Sequence, residues 1–318
     1  MEPYRILVVR LGAMGDVIHA LPAVASLKHS FPRSRVSWAI RSRWIPLVEQ
    51  NPFVDEIIPL DRTVSGFRAA WRRLRAGRFD LAVDFQGLVQ SALVAAAAHA
   101  DKIIGFHRSQ AWERWASLFY STEVTTRSAH IVDRNLELIA AAGASSVVRL
   151  FPLAAGAPEG RLPEGKFVLA SPLAGWRSKQ WPIERYQQLA ARLDLPLVVN
   201  GPPSAAGALN EIRGAIVHLS GIAGLIDATR RAHAVIGVDS GPMHLAAALS
   251  KPGVAIFGPT DPARNGPYGG SLRVVRSPTA ITTYKRDAGD EDMRAIPAES
   301  VASELLAALE SKPAGCSA

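Results

Sequence analysis

Two stretches far apart in the chain share one design, and that pairing limits the fold more than any other feature. Residues 5–9, apolar from Ile6 onward, read as a buried strand; Gly12 and Gly15 mark a tight turn, and Asp16 stands where a helix begins. The design returns at 234–238, with Asp239, Ser240 and Gly241 in the turn and an Ala/Leu-rich helix after it. Each half thus offers a strand, a turn, an acidic side chain and a helix N-terminus. Such a terminus carries unpaired N–H groups and the positive end of a dipole, so it suits phosphate. Two of them predict a cleft lined from both sides.

Between these points strand-like runs alternate with helical patterns. Strands are expected at 5–9, 35–40, 54–59, 79–84, 101–105, 166–170, 195–199, 215–218, 234–238, 253–257 and 272–276. Helices are expected at 16–29, 43–50, 66–76, 87–98, 130–142, 183–193, 222–232, 241–249 and 297–310, with Pro22 kinking the first. This βαβα rhythm predicts an α/β fold of parallel sheets covered by helices on both faces. At 318 residues the chain suits two domains, and the Pro/Gly-rich stretch 151–165 is the expected linker. The predicted domains are 1–155 and 156–318, with the last helix free to pack back on the first. Segment 277–296, polar and irregular, reads as surface loop.

Several classes are excluded at this level. No apolar run approaches the ~20 residues that span a bilayer, and Arg10 and Asp16 interrupt any signal-peptide core, so a cytoplasmic protein is expected. Cys316 is the one cysteine, which leaves no disulfide framework and no cysteine metal site. No His/Cys cluster has metal spacing. Asp290-Glu291-Asp292 matches the Asp-x-Asp of metal-dependent sugar transferases, but its loop position counts against that role.

Charge is uneven. Through residue 155, 19 Lys and Arg stand against 13 Asp and Glu; beyond it the figures are 17 and 15. Residues 62–78 hold Arg62, Arg68, Arg72, Arg73, Arg75 and Arg78 without an acid. Arginine suits a bidentate grip on phosphate or carboxylate. The plainer reading is a solvated helix face, with Phe67, Trp71 and Leu74 forming the buried stripe. Nothing accompanies the charge that reads nucleic acid.

The motifs leave roles open. Gly12-x-x-Gly15 lacks the dinucleotide spacing. Asp16 serves equally as a helix cap or as a base facing a cleft. In the loop 171–182, Gly175, Ser178 and Lys179 precede a helix and suit a diphosphate; otherwise Lys179 is a solvated lysine and Trp181 a packing residue. Asp239 and Ser240 are ordinary N-cap types, and His244, a turn further, faces either core or cleft. Residues 258–262 read as a turn.

Taken together, these residues resemble glycosyltransferase family 9, the lipopolysaccharide heptosyltransferases. The resemblance runs through Gly15-Asp16-Val17 with Ala20-Leu21-Pro22, Asp84-Phe85-Gln86-Gly87-Leu88, Gly175-Trp176 with Lys179 and Trp181-Pro182, Gly237-Val238-Asp239-Ser240-Gly241 with His244, and Phe257-Gly258-Pro259-Thr260-Asp261-Pro262. Segments 86–92 and 116–120 look more like the heptosyltransferase I branch than II. The resemblance implies a GT-B fold, two doubly wound domains facing across a cleft, with acceptor on the first and nucleotide-sugar on the second. It implies inverting, metal-independent transfer of heptose from ADP-heptose to Kdo of an anionic Kdo–lipid A acceptor, at the cytoplasmic face of an inner membrane and without a cofactor. Asp16 would then be the general base. Gly15, Gly175, Ser178, Lys179, Asp239, Ser240, Gly241 and His244 would hold the donor; Arg62, Arg68, Arg72, Arg108 and Arg134 would hold the acceptor. Two departures stand out. Trp112 precedes Glu113 where relatives often carry an arginine, with Arg108 as substitute, and residues 200–204 lack the glutamate that often meets the ribose. A nucleotide-sugar epimerase of similar shape, acceptor specificity of the heptosyltransferase II type, and a non-catalytic binding protein are the alternatives.

Overall fold

The computed structural model describes residues 3–61, 63–285 and 289–311. The chain divides into two compact units, Met1–Ala154 and Ala155–Ala318. The division falls inside the expected linker.

The first unit runs β1 (Arg5–Val9), α1 (Met14–Ser30), β2 (Arg35–Ile40), α2 (Ile45–Val48), β3 (Glu56–Pro59), α3 (Val64–Ala76), β4 (Leu81–Asp84), α4 (Val89–Ala97), β5 (Lys102–Phe106), β6 (Thr122–Val124) and α5 (Ile131–Ala141). Its strands form one parallel sheet in the order β3-β2-β1-β4-β5-β6. Ile6, Leu7, Val8 and Val9 are all fully buried. That is why β1 reads as an unbroken apolar run rather than an alternating one: a central parallel strand has both faces covered. α1 continues unbroken through Pro22 and packs along α5.

The second unit repeats the plan: β7 (Val168–Ser171), α6 (Ile183–Ala190), β8 (Leu197–Gly201), α7 (Ala206–Asn210), β9 (Ala215–Leu219), α8 (Ile222–Arg231), β10 (Ala234–Val238), α9 (Gly241–Ala248), β11 (Gly253–Phe257), α10 (Pro262–Asn265), β12 (Leu272–Arg276), α11 (Glu291–Arg294) and α12 (Ala298–Glu310). The sheet order is β12-β11-β10-β7-β8-β9, again all parallel. α12 lies against α6, β11 and β12 of its own unit.

Two expectations need correction. Segment 277–296 is not all surface loop, because Met293 and Ile296 are buried in the second core and the Ile296 carbonyl accepts the Trp181 indole N–H at 3.0 Å. The edge strand β6 was not anticipated; it is three half-buried residues, too short for any periodicity to register.

In each sheet the strand order reverses once, between β1 and β4 and between β7 and β10. The carboxyl ends of the two strands at such a reversal diverge and leave a crevice, where open α/β sheets bind ligands.

Candidate functional site

At the first reversal point, the first turn of α1, just after β1, carries Asp16, and the loop after β4 carries Gln86. Asp16 uses both carboxylate oxygens. Oδ2 accepts the Ala13 backbone N–H at 2.9 Å, closing the first turn of α1 as an N-terminal cap. Oδ1 meets an Arg10 guanidinium nitrogen at 2.6 Å. The Asp16 side chain is nevertheless 42 % exposed, while that of Arg10 is buried. The carboxylate is therefore capped, aimed and open to an incoming hydroxyl at once, so the cap and base readings of Asp16 are compatible.

Arg10 was the residue that sequence reasoning missed. It donates to the Phe85 carbonyl, and its own carbonyl accepts the Trp38 indole N–H at 3.2 Å. The signal was a lone basic residue ending a buried strand. Beside it, the Leu11 N–H donates to Gln86 Oε1 at 2.8 Å. Gly12 has a φ of +141°, and a Cβ there would collide with the Trp44 indole, so the turn needs glycine. Gly15 is buried in the first turn of α1.

The β4 end is fixed by Asp84, which is fully buried. Its carboxylate accepts from the Ser91 hydroxyl at 2.7 Å, the Tyr120 hydroxyl at 2.7 Å, and the Gln86 and Gly87 N–H groups at 2.8 and 3.3 Å. Burial pushes the Asp84 carboxyl above its usual range, against the lowering pull of those four donors. Burial and the neighbouring Asp84 charge push the Tyr120 phenol up as well.

At the second reversal point Lys179 and Asp239 meet. Lys179 Nζ lies 2.6 Å from Asp239 Oδ2 and 4.3 Å from the centre of the Trp176 ring. The Thr260 hydroxyl donates to the same oxygen at 2.6 Å, and His244 Nε2 stands 3.8 Å from Oδ1. Burial opposes ionisation of Asp239, but the His244 and Lys179 contacts outweigh it and hold the carboxyl well below the usual range. Lys179 is thus no solvated loop lysine, whereas Trp181 is the packing residue expected, buried edge-on to Tyr186. Three buried serine hydroxyls lie at the carboxyl ends of β7 and β10 or in the loop after β7. Those of Ser171, Ser178 and Ser240 have no hydrogen-bond partner among the described residues. Ser240 is the N-cap of α9 yet makes no side-chain bond to it. A buried hydroxyl without a partner costs about 1–3 kcal/mol, and a bound anion would satisfy it. Gly175 stands open, with nothing near its missing Cβ.

The acceptor candidates belong to the first unit. Arg68 and Arg72 lie on the exposed side of α3. Phe67 and Trp71 are not the buried stripe expected there, because α3 buries only Ala70 and Leu74 and leaves both aromatic rings exposed. Arg108 is engaged by Glu123, at 3.0 Å. Arg134 donates to Thr126 Oγ1 at 2.9 Å and lies over the Phe106 ring. Arg62 lies outside the described residues. Asn200, at the end of β8, donates to Ser220 Oγ at 2.9 Å. Asp261 caps α10, accepting the Ala263 N–H at 2.9 Å. Asp290 is held by Arg294 through two bonds of 2.8 and 2.9 Å. Among the described residues no group of three or more His, Cys, Asp and Glu is placed to hold a metal ion.

The arrangement has known counterparts. The family model of glycosyltransferase family 9 (heptosyltransferase) matches residues 67–292. Lipopolysaccharide heptosyltransferase 1 of Escherichia coli K12 is 30 % identical over 312 residues, spanning 86 % of this chain and 94 % of that protein. Lipopolysaccharide heptosyltransferase 1 of Pseudomonas aeruginosa is 29 % identical, spanning 84 % and 82 %. The solved structure of E. coli heptosyltransferase WaaC with ADP-2-deoxy-2-fluoro heptose superposes with a TM-score of 0.74 at 25 % identity, covering 94 % of this chain and 98 % of that one.

Proposed function

The chain belongs to glycosyltransferase family 9, the heptosyltransferases, with the α/β architecture of GT-B enzymes, and from that premise we propose that it moves heptose from ADP-heptose onto Kdo of a Kdo–lipid A acceptor. The transfer is inverting and needs no metal. The acceptor oxygen attacks the anomeric carbon as the bond from that carbon to the diphosphate oxygen breaks. The hydroxyl proton goes to Asp16, and ADP leaves with the bonding pair. Arg10 keeps the Asp16 carboxylate turned toward the acceptor and acts as a positioning residue. The observation that carries the base assignment is that Asp16 remains open to solvent although both its oxygens are engaged.

In the second unit the departing diphosphate needs positive potential that a fixed site can supply without reorganising. Lys179 and the N-terminus of α9 provide it, and the unpartnered hydroxyls of Ser178 and Ser240 provide donors. Asp239 holds Lys179 in reserve and, with His244, meets the sugar. Dependence on acceptor separates this reading from its rivals. Incubation with ADP-heptose alone should leave the donor intact, and ADP should appear only when acceptor is added. Epimerised donor would identify an epimerase, and binding without turnover a carrier. Turnover should also be unchanged in EDTA; loss in chelator that Mg²⁺ or Mn²⁺ restores would overturn the metal-free mechanism.

The arginines of α3 receive the acceptor's carboxylates and phosphates and draw the enzyme to the cytoplasmic face of the inner membrane. Reversing Arg72, Arg73 and Arg75 to Glu should raise the acceptor KM at least about tenfold and weaken binding to anionic vesicles, since each basic residue near such a surface contributes roughly 1 kcal/mol. ADP-heptose affinity should hold. With acceptor KM and vesicle binding both unmoved, α3 is only a solvated face.

A further inference from the structure

Adjacent elements of the first unit leave large apolar side chains outside the core. A 3₁₀ turn spans Arg114–Phe119, and in such a turn residues i and i+3 eclipse. Trp115 and Leu118 therefore share one outward edge, 57 % and 72 % exposed, with Trp112 just ahead at 60 %. Ala116 and Ser117 turn inward and are buried. The turn is fastened to its neighbour, because Glu113 accepts the Val89 N–H at 2.7 Å and the turn packs along α4. On α4, Leu93 is exposed too, and with Phe67 and Trp71 of α3 it lines a groove of ≈ 660 Å³. Basic side chains are interleaved throughout: Arg114 stacks on Trp115 at 4.5 Å, and Arg68 and Arg72 stand beside Phe67 and Trp71.

We propose that Trp112, Trp115 and Leu118 form a wedge that inserts into the interface of a bilayer carrying anionic lipid. The inference rests on the reading of an enzyme whose acceptor is a membrane lipid, and it adds an apolar, salt-resistant anchor to the attraction by arginine. Tryptophan suits the headgroup level, where its ring is apolar on one side and its N–H stays wet. Arginines around it reach the phosphates while their stems cover apolar surface. Among the described residues no helix is long and apolar enough to cross a membrane, so the anchor lies in the surface layer. A second copy of the chain is the poorer occupant, since a symmetric contact would set Arg68, Arg72 and Arg114 against their own counterparts.

The test uses the full chain and vesicles of phosphatidylcholine with phosphatidylglycerol, some bearing bromine on the acyl chains. Brominated lipid should quench the tryptophan emission. The variant Trp115→Ser/Leu118→Ser should lose most of that quenching and bind vesicles about tenfold or more weakly in high salt, the loss expected when two large apolar side chains no longer leave water. Its melting temperature should match the parent, because neither side chain belongs to the core. Equal quenching and equal high-salt binding in parent and variant would overturn the wedge. So would a parent dimer that the variant abolishes. A de-acylated, water-soluble acceptor separates the two readings: the variant should glycosylate it as the parent does. A parent inactive on every acceptor but quenched by brominated lipid would remove the proposed function and leave the wedge standing.

Discussion

Asp16→Asn is expected to lower turnover by about 10²–10⁴-fold, the usual worth of a general base, while ADP and donor affinity stay within a few-fold. The substitution is informative because it leaves most of the scaffold alone. The Asn carbonyl still accepts the Ala13 N–H, so α1 keeps its cap. The amide group then faces the Arg10 guanidinium in place of the oxygen now 2.6 Å away. Steady-state kinetics with each substrate varied, titration with ADP, and a thermal melt give the three readouts. A folded variant that turns over near the parent rate would reduce Asp16 to a helix cap.

Lys179→Ala should weaken ADP binding by about 10- to 100-fold and slow transfer, since a charge-assisted hydrogen bond contributes roughly 1.5–3 kcal/mol. It should also alter stability in a pH-dependent way. Asp239 is depressed in the folded protein, so its contribution is present above the ordinary carboxylate range and is lost as pH falls through the folded value. Without Lys179 that value moves up, though Thr260 and His244 remain in contact. Both proteins should begin to lose melting temperature as pH falls through the ordinary carboxylate range, but the variant should lose less of it and level off at a higher pH than the parent. Isothermal titration with ADP and a series of melts in acid test the two halves separately. Unchanged ADP affinity would take Lys179 out of the diphosphate site, and superposable melting profiles would show that it does not set the Asp239 charge.

The sequence was most legible where burial is complete on both sides. β1 and β10 were placed to the residue because central parallel strands must be apolar throughout, and the turns after them carry the site residues by topology alone. Pairings across long separations were illegible. Nothing local to Lys179 says that its partner is Asp239, and nothing local to Arg10 says that it reaches Phe85. α3 was misread for a related reason. Its spacing of Phe67, Trp71 and Leu74 is that of a buried stripe, and spacing says which residues share a face but not how far a neighbour covers them. Only Leu74 and Ala70 are covered. Segment 277–296 failed in the opposite sense, since Met293 and Ile296 are too few to make a pattern although both reach the core.

The seat of Asp16 has a consequence for how the first unit acquires competence. The bond from Ala13 spans three residues and can form in a fraying helix. The contacts that orient the carboxylate's partner and its loop, Arg10 to Phe85 and Leu11 to Gln86, each close a loop of 75 residues. They cannot exist until β4 has docked beside β1. Late, non-local contacts of this kind form with the whole sheet or not at all. A partly folded first unit would thus hold a helix already capped but a carboxylate not yet aimed, and activity would return in step with the last strand to join rather than with helix content.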